Sequence, residues 1–129
     1  MPTAKIYALK ETFAPVKETF KTVLHTCVAD GLQFPADKPL QRYLLLDRDD
    51  FVFPADRTDR YTIVEIAMFE GRSVETIKKM INLIYDRIPA ATGIPRKDID
   101  VIVTQVPRHA WGLTGQLGDE LQTTYKVAV

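Results

Sequence analysis

The sequence predicts an α+β fold in which two successive β-α-β units share one four-stranded sheet, with both helices on the same face. Three observations carry that prediction. Short β-forming segments alternate with longer stretches of helical periodicity. The order strand, helix, strand occurs twice. The landmarks of the two halves also keep their spacing: Val16 and Val74 open the helical stripes 58 positions apart, and Gly31 and Gly93 close them 62 apart, as expected of a tandem duplication.

Thr3 to Leu9 is short and β-forming, with Pro2 ahead of it, where a missing N–H costs the ladder nothing. Thr12 and Pro15 offer a cap and a first-turn proline, and Val16, Phe20, Val23, Leu24, Cys27 and Val28 recur at helical spacing up to a stop near Gly31. The turn Phe34 to Pro39 leads into a buried strand over Gln41 to Leu46. In the second half, Tyr61 to Phe69 reads as a strand, and Ser73 caps a helix whose stripe is Val74, Ile77, Ile81, Ile84 and Ile88. Gly93 ends that helix, and Ile99 to Thr104 closes the unit as a strand. The expected organisation is one domain over 1–129, with a first unit at about 2–50, a second at about 60–106, and a C-terminal turn and strand over 107–129.

Both helices must lie on one side of the sheet for right-handed crossovers, which leaves the other face bare. Strands 41–46 and 99–104 are too apolar for water on that face, so the chain is expected to be an obligate oligomer. The segment Gln122 to Val129 is strand-like without a partner in its own unit, and is expected to extend a neighbour's sheet.

The 129 residues suffice for a real core. Lys plus Arg and Asp plus Glu both number 17, so no general field favours nucleic acid or an anionic membrane as partner. Cys27 is the sole cysteine and cannot form an intrachain disulfide, and no segment is apolar enough for a membrane span. A cytoplasmic location is expected. The cysteine and two histidines show no metal-ligand spacing, and the glycines form no phosphate loop, so neither metal nor cofactor is implied.

Two features carry chemistry. Removal of Met1 would expose the secondary amine of Pro2, and an α-amino group titrates near pH 8, lower when buried or beside a cation, which suits a general base. If Met1 stays, that nitrogen is an amide and the base does not exist. In Phe69-Glu70-Gly71-Arg72-Ser73, Arg72 stands where a strand runs into a helix. It can grip a carboxylate there with the helix N-terminus behind it, or simply pair with Glu70 or Glu75. His25 falls on the polar helix face, Cys27 on the apolar stripe, His109 in a loop, and Arg57 and Arg60 in a solvated loop; none is taken as a site residue.

Pro2 at the head of a strand, the duplicated β-α-β plan, the run Glu70-Gly71-Arg72-Ser73-Val74-Glu75-Thr76-Ile77-Lys78-Lys79 and the segment Pro107-Arg108-His109-Ala110-Trp111-Gly112 together resemble the tautomerase superfamily. Within it, the malonate semialdehyde decarboxylase-like branch is most similar, beside 4-oxalocrotonate tautomerase. The resemblance spans the whole chain. It implies a homotrimer, Pro2 as catalytic base or acid, Arg72 as binder of a small-molecule carboxylate substrate, Asp37 as an acidic partner and Trp111 as pocket lining. Lys38 takes the acidic position if the turn shifts by one residue. Glu70 stands where the decarboxylases carry a second arginine, so this motif offers no two-arginine clamp. The first unit has Lys10-Glu11-Thr12-Phe13 before its helix, so only the second supplies an active-site arginine.

The expected activity is cofactor-independent keto-enol proton transfer on a small keto or enol acid. The alternatives are decarboxylation, hydration or dehalogenation of a three-carbon acid such as malonate semialdehyde, or a non-catalytic ferredoxin-like oligomeric binding protein.

Overall fold

A computed structural model covers residues 1–129. Its core is a four-stranded mixed sheet of β1 (Thr3–Leu9), β2 (Gln41–Leu46), β3 (Thr62–Phe69) and β4 (Ile99–Val106), in the order β2-β1-β3-β4. β1 runs parallel to β2 and β3 parallel to β4, while β1 and β3 pair antiparallel at the centre. Each β-α-β unit therefore keeps its own parallel pair, and the two are joined back to front.

Strand alternation sets the core. Ile6 lies beside Tyr43 and Val64 in register, and Ala4, Ile6, Ala8, Val64, Ile66 and Met68 all point to the helix side, where they are buried. The helices that cover them are α2 (Lys17–Leu32), reached through a single turn α1 (Lys10–Phe13), and α3 (Val74–Thr92). Phe20, Leu24 and Cys27 from α2 meet Met80, Ile84 and Ile88 from α3 in one continuous core.

Three expectations about these helices need correcting. Gly31 does not stop α2. The helix runs to Leu32, and Gln33 ends it in the left-handed region at φ 53, its N–H bonded to the Ala29 carbonyl. Gly31 serves the helix crossing instead, because a Cβ there would lie 2.8 Å from both Cα and Cβ of Met80. Gly31→Ala is accordingly expected to push the helices apart and destabilise the fold by about 1–3 kcal/mol, read as a shift in the urea unfolding midpoint. Val74 does not belong to the apolar stripe, being 61% exposed. It lies in the first turn of α3, which meets the chain's C-terminal residues rather than the sheet: the Ser73 N–H and the Thr76 hydroxyl both donate to the Val129 carbonyl, at 3.2 and 2.7 Å. Arg60 is not a solvated loop residue, since its guanidinium bonds the Thr92 and Gly93 carbonyls at 2.8 and 2.7 Å and closes the end of α3.

The sheet face opposite the helices carries Lys5, Tyr7, Leu44, Ile63, Glu65 and Ile102 by the same alternation. Nothing in the single chain covers it, and Leu44 and Ile102 are 38% and 52% exposed. No helix is long and apolar enough to cross a membrane.

After β4 a short hairpin forms from β5 (Gly112–Leu113) and β6 (Gln116–Leu117). The expected strand over 122–129 is absent. The segment folds back on its own subunit: Tyr125 packs edge-on against Phe34 with centroids 4.8 Å apart, and Val127 approaches Gly71. Its alternating residues bury themselves against side chains, not against another strand.

The far end of the sheet, where β1 leaves and β3 begins, is closed. Thr12 donates to the Asp59 carbonyl at 2.7 Å, and Arg48 bridges Glu11 and Asp59. Tyr61 packs with Phe51 and Phe53 and donates to Asp100.

Candidate active site

Strand register gathers the candidate residues at the other end. β1 starts where β3 finishes, with Thr3 opposite Ala67, so Pro2 faces the chain leaving β3. β3 and β4 end together at the pair Phe69–Val106, and residues 72 and 108 leave the sheet side by side. β2 begins beside Ala4, whose N–H donates to the Leu40 carbonyl at 3.0 Å, which brings in the turn that carries Asp37 and Lys38.

Arg72 is the unusual residue of this group. The chain turns out of β3 through Gly71 at φ 126, a left-handed conformation that a side chain would strain, and a Cβ there would also press within 3.3 Å of Val127. That turn folds Arg72 inward, leaving it 6% exposed. Its only hydrogen bond is from Nη1 to the Phe69 carbonyl at 3.4 Å, while Nε and Nη2 are buried without a partner. Neither Glu70 nor Glu75 pairs with it. Burial depresses its pKa below the ordinary guanidinium value, yet arginine remains charged under all ordinary conditions. A buried cation with two idle donors is costly in a folded chain, and a carboxylate or enolate oxygen is the kind of group that would relieve it.

The N-terminal amine, here that of Met1, lies within the field of this cation. Its pKa is lowered from 8.0 to about 5, first by burial and then by the charges of Arg72 and Arg108. The Met1 amine so placed is neutral at every pH above about 5. The unfolded amine still binds a proton up to about pH 8, so between these values the unfolded chain holds more protons and stability rises with pH. Pro2 is buried directly behind it, in a small cavity shared with His25, Phe34, Lys38 and Gln41. His25 is thus only partly exposed and not free, its Nε2–H donating to the Ala36 carbonyl at 2.8 Å.

Arg108 was not legible as a site residue. It stacks on the Phe69 ring at 4.8 Å and is fixed by bonds to the Gly118 and Leu121 carbonyls, at 3.1 and 2.7 Å. The same ring meets Trp111 edge-on, 5.2 Å between centroids, so Arg108 and Trp111 share Phe69 as a neighbour. In the turn before β2, Asp37 is exposed, whereas Lys38 is half-buried and lines the cleft with Met1, donating to the Thr124 hydroxyl at 3.3 Å. His109 is exposed. Cys27 is fully buried, and burial raises its thiol to about 11, so it is inert core. No group of three or more His, Cys, Asp or Glu is arranged to hold a metal ion.

This end of the sheet therefore presents one depressed amine, one buried idle arginine and two further cations, Lys38 and Arg108. Such a set can bind a small anionic acid and move one of its protons. A family model described as a tautomerase enzyme matches residues 38–114, more than half of the chain. A 2-hydroxymuconate tautomerase of Pseudomonas putida is 33% identical over 57 residues, which cover 44% of this chain and 90% of that protein. Among solved structures, a fused 4-OT wild-type symmetric trimer superimposes with a TM-score of 0.78 at 16% identity, over 90% of this chain and 94% of that one. A malonate semialdehyde decarboxylase inhibited by 3-bromopropiolate does so with a TM-score of 0.75 at 19% identity, over 85% and 87%. At these identities the solved structures share the fold, and the family match goes further: this chain belongs to the tautomerase enzyme family.

Proposed function

We propose that this protein is a cofactor-independent tautomerase acting on a small keto or enol acid, with the N-terminal amine as base and Arg72 as the substrate-binding cation. The amine is that of Pro2 once Met1 is removed. The observation that carries this reading is the buried guanidinium of Arg72, with Nε and Nη2 unpartnered, at a chain terminus where burial and the charges of Arg72 and Arg108 depress the amine of Met1, the residue next to Pro2. The neutral amine takes a proton from the enol oxygen or the α-carbon. Arg72 stabilises the enolate charge as it develops, in a site with little water to screen it, and the ammonium returns the proton to the other atom. Trp111 walls the site beside Arg108, and in the turn before β2 we assign the substrate-facing position to Lys38 in preference to Asp37. A homotrimer with its open sheet faces inward would cover Leu44 and Ile102, in keeping with the trimeric neighbour.

The test is an intact mass on untagged protein, followed on the same sample by the ketonisation rate of phenylpyruvate enol. Loss of Met1 together with a rate well above buffer supports the reading. Retained Met1, or a rate equal to buffer, overturns it. Turnover of malonate semialdehyde without enol turnover would move the assignment to decarboxylation, which uses the same amine and cation on a 3-oxo acid.

A further inference from the structure

Met1, which has to go before Pro2 can act as a base, is built into the fold. It is half-buried, packs against the core, and lines the cleft together with Lys38, Leu113 and Tyr125. Burial is also the first cause of the low pKa of its amine. Behind it Pro2 is buried, and Thr3 and Ala4 are 9% and 4% exposed. The strand that starts at Thr3 is not an edge. In the order β2-β1-β3-β4 it is paired on both sides, Thr3 with Ala67 and Ala4 with both Gln41 and Ile66, and the Ala4 N–H donates to the Leu40 carbonyl at 3.0 Å. An aminopeptidase encloses the terminal side chain in a pocket of its own and reaches the amide behind it, so the first few residues must hang free of their own fold. Here they offer no free length. Exposing the Met1–Pro2 amide requires the start of β1 to leave both neighbours, and a central strand opens only at a free energy near that of global unfolding.

We infer that Met1 is a self-blocking plug that only the unfolded chain can lose. Its excision belongs to the interval between synthesis and folding, and a chain that folds with Met1 in place stays inactive: its Pro2 nitrogen is an amide, and Met1 occupies the cleft beside it. The step itself is a hydrolysis by an aminopeptidase. Water adds across the Met1–Pro2 amide, methionine leaves, and Pro2 keeps its nitrogen as a free secondary amine. The inference rests on the reading of Pro2 as the base and adds the time at which that base is made.

Cell-free synthesis of the untagged chain provides the test, with methionine aminopeptidase present either from the start or only after the chain has been released and folded, and intact mass as the readout. A synthetic peptide of residues 1–9 fixes the rate on an unfolded end. The expected result is complete loss of Met1 in the first arm and, in the second, trimming at least about a hundredfold slower than that of the peptide. Gly31→Ala, which loosens the helix crossing, should quicken late trimming at least about fivefold, because cleavage then follows the population of unfolded chains. Late trimming as fast as on the peptide, late trimming indifferent to Gly31→Ala, or Met1 retained in the first arm while the peptide is cleaved, overturns the proposal. Phenylpyruvate enol turnover is measured on the products of both arms. Slow late trimming with no turnover by either product would sustain the protected terminus and sink the tautomerase assignment. Turnover by protein that is trimmed freely after folding would do the reverse.

Discussion

Replacing Arg72 with methionine should abolish most of the activity and make the protein more stable. The two effects have one origin. A guanidinium that is 6% exposed, with two nitrogens unpartnered, is an unfavourable element of the empty fold, and each unmet buried donor costs about 1–3 kcal/mol. Methionine occupies a similar volume without charge, and replacement of buried charge by well-packed apolar groups is often neutral or stabilising. A rise in melting temperature of several degrees is expected, read by calorimetry at one fixed protein concentration. The same change removes the charge that meets the developing enolate, and loss of one such preorganised donor costs about 10²–10³ in kcat. A variant that lost activity and stability together would identify Arg72 as a structural residue and remove the basis of the proposed site.

The second large effect concerns the base. In Pro2→Ala protein, activity on an enol substrate should fall at least about 10²-fold, the usual contribution of a positioned general base; retention of Met1 should do the same by turning the Pro2 nitrogen into an amide. The pH profile gives an independent check. The burial and cations that depress the Met1 amine should also hold the Pro2 amine below the ordinary α-amino value, so kcat/KM should be flat at neutral pH and fall on the acid side, where the base becomes protonated. Arg108 contributes to the depression of the Met1 amine, so Arg108→Met should raise the pKa of the Pro2 amine that replaces it and move the acid limb to higher pH. An acid limb that stays in place in this variant would show that Arg108 exerts no field on the amine. A limb near pH 8 in the wild type would mean an exposed amine and a site other than the one described.

Much of this architecture could be read from the residues because it depends on local periodicity. Thr3–Leu9 and Gln41–Leu46 have the strand bounds anticipated for them, and β4 runs only two residues past the expected Thr104. What escaped depends on how distant parts meet. Gly31 has the right residue type and nearly the right place for a helix stop, but its lack of a side chain is used by Met80 on another helix. The true helix-ending residues, Gln33 and Gly93, lie 60 positions apart, so the repeat survives in backbone geometry even where the residue types differ. The tail alternates like a strand because every second residue is half-buried, and that pattern does not say whether the covering is a sheet or Phe34 and Gly71.

The site divides in the same way. Pro2 and Arg72 stand out on position alone, one at the head of a strand and the other at a strand-to-helix turn. Arg108 joins them only because Phe69 and Val106 end their strands in register, a relation absent from either local sequence. Lys38 and Tyr125 come from the turn before β2 and from the tail, and their approach to the N-terminus follows from the tertiary path of the chain. Asp37 and Lys38 are neighbours in sequence, and the course of that turn determines which of them faces the cleft.

The antiparallel pairing of β1 with β3 has a quantitative consequence. It turns the second unit end for end against the first, so that the counterpart of Pro2, at the head of β3, is Tyr61 at the opposite rim, locked among Phe51, Phe53 and Asp100. The two halves of the repeat have become a reactive rim and a keystone rim. An amine-directed affinity label carrying a carboxylate should accordingly saturate at one equivalent per polypeptide, not two, whatever the number of subunits assembled.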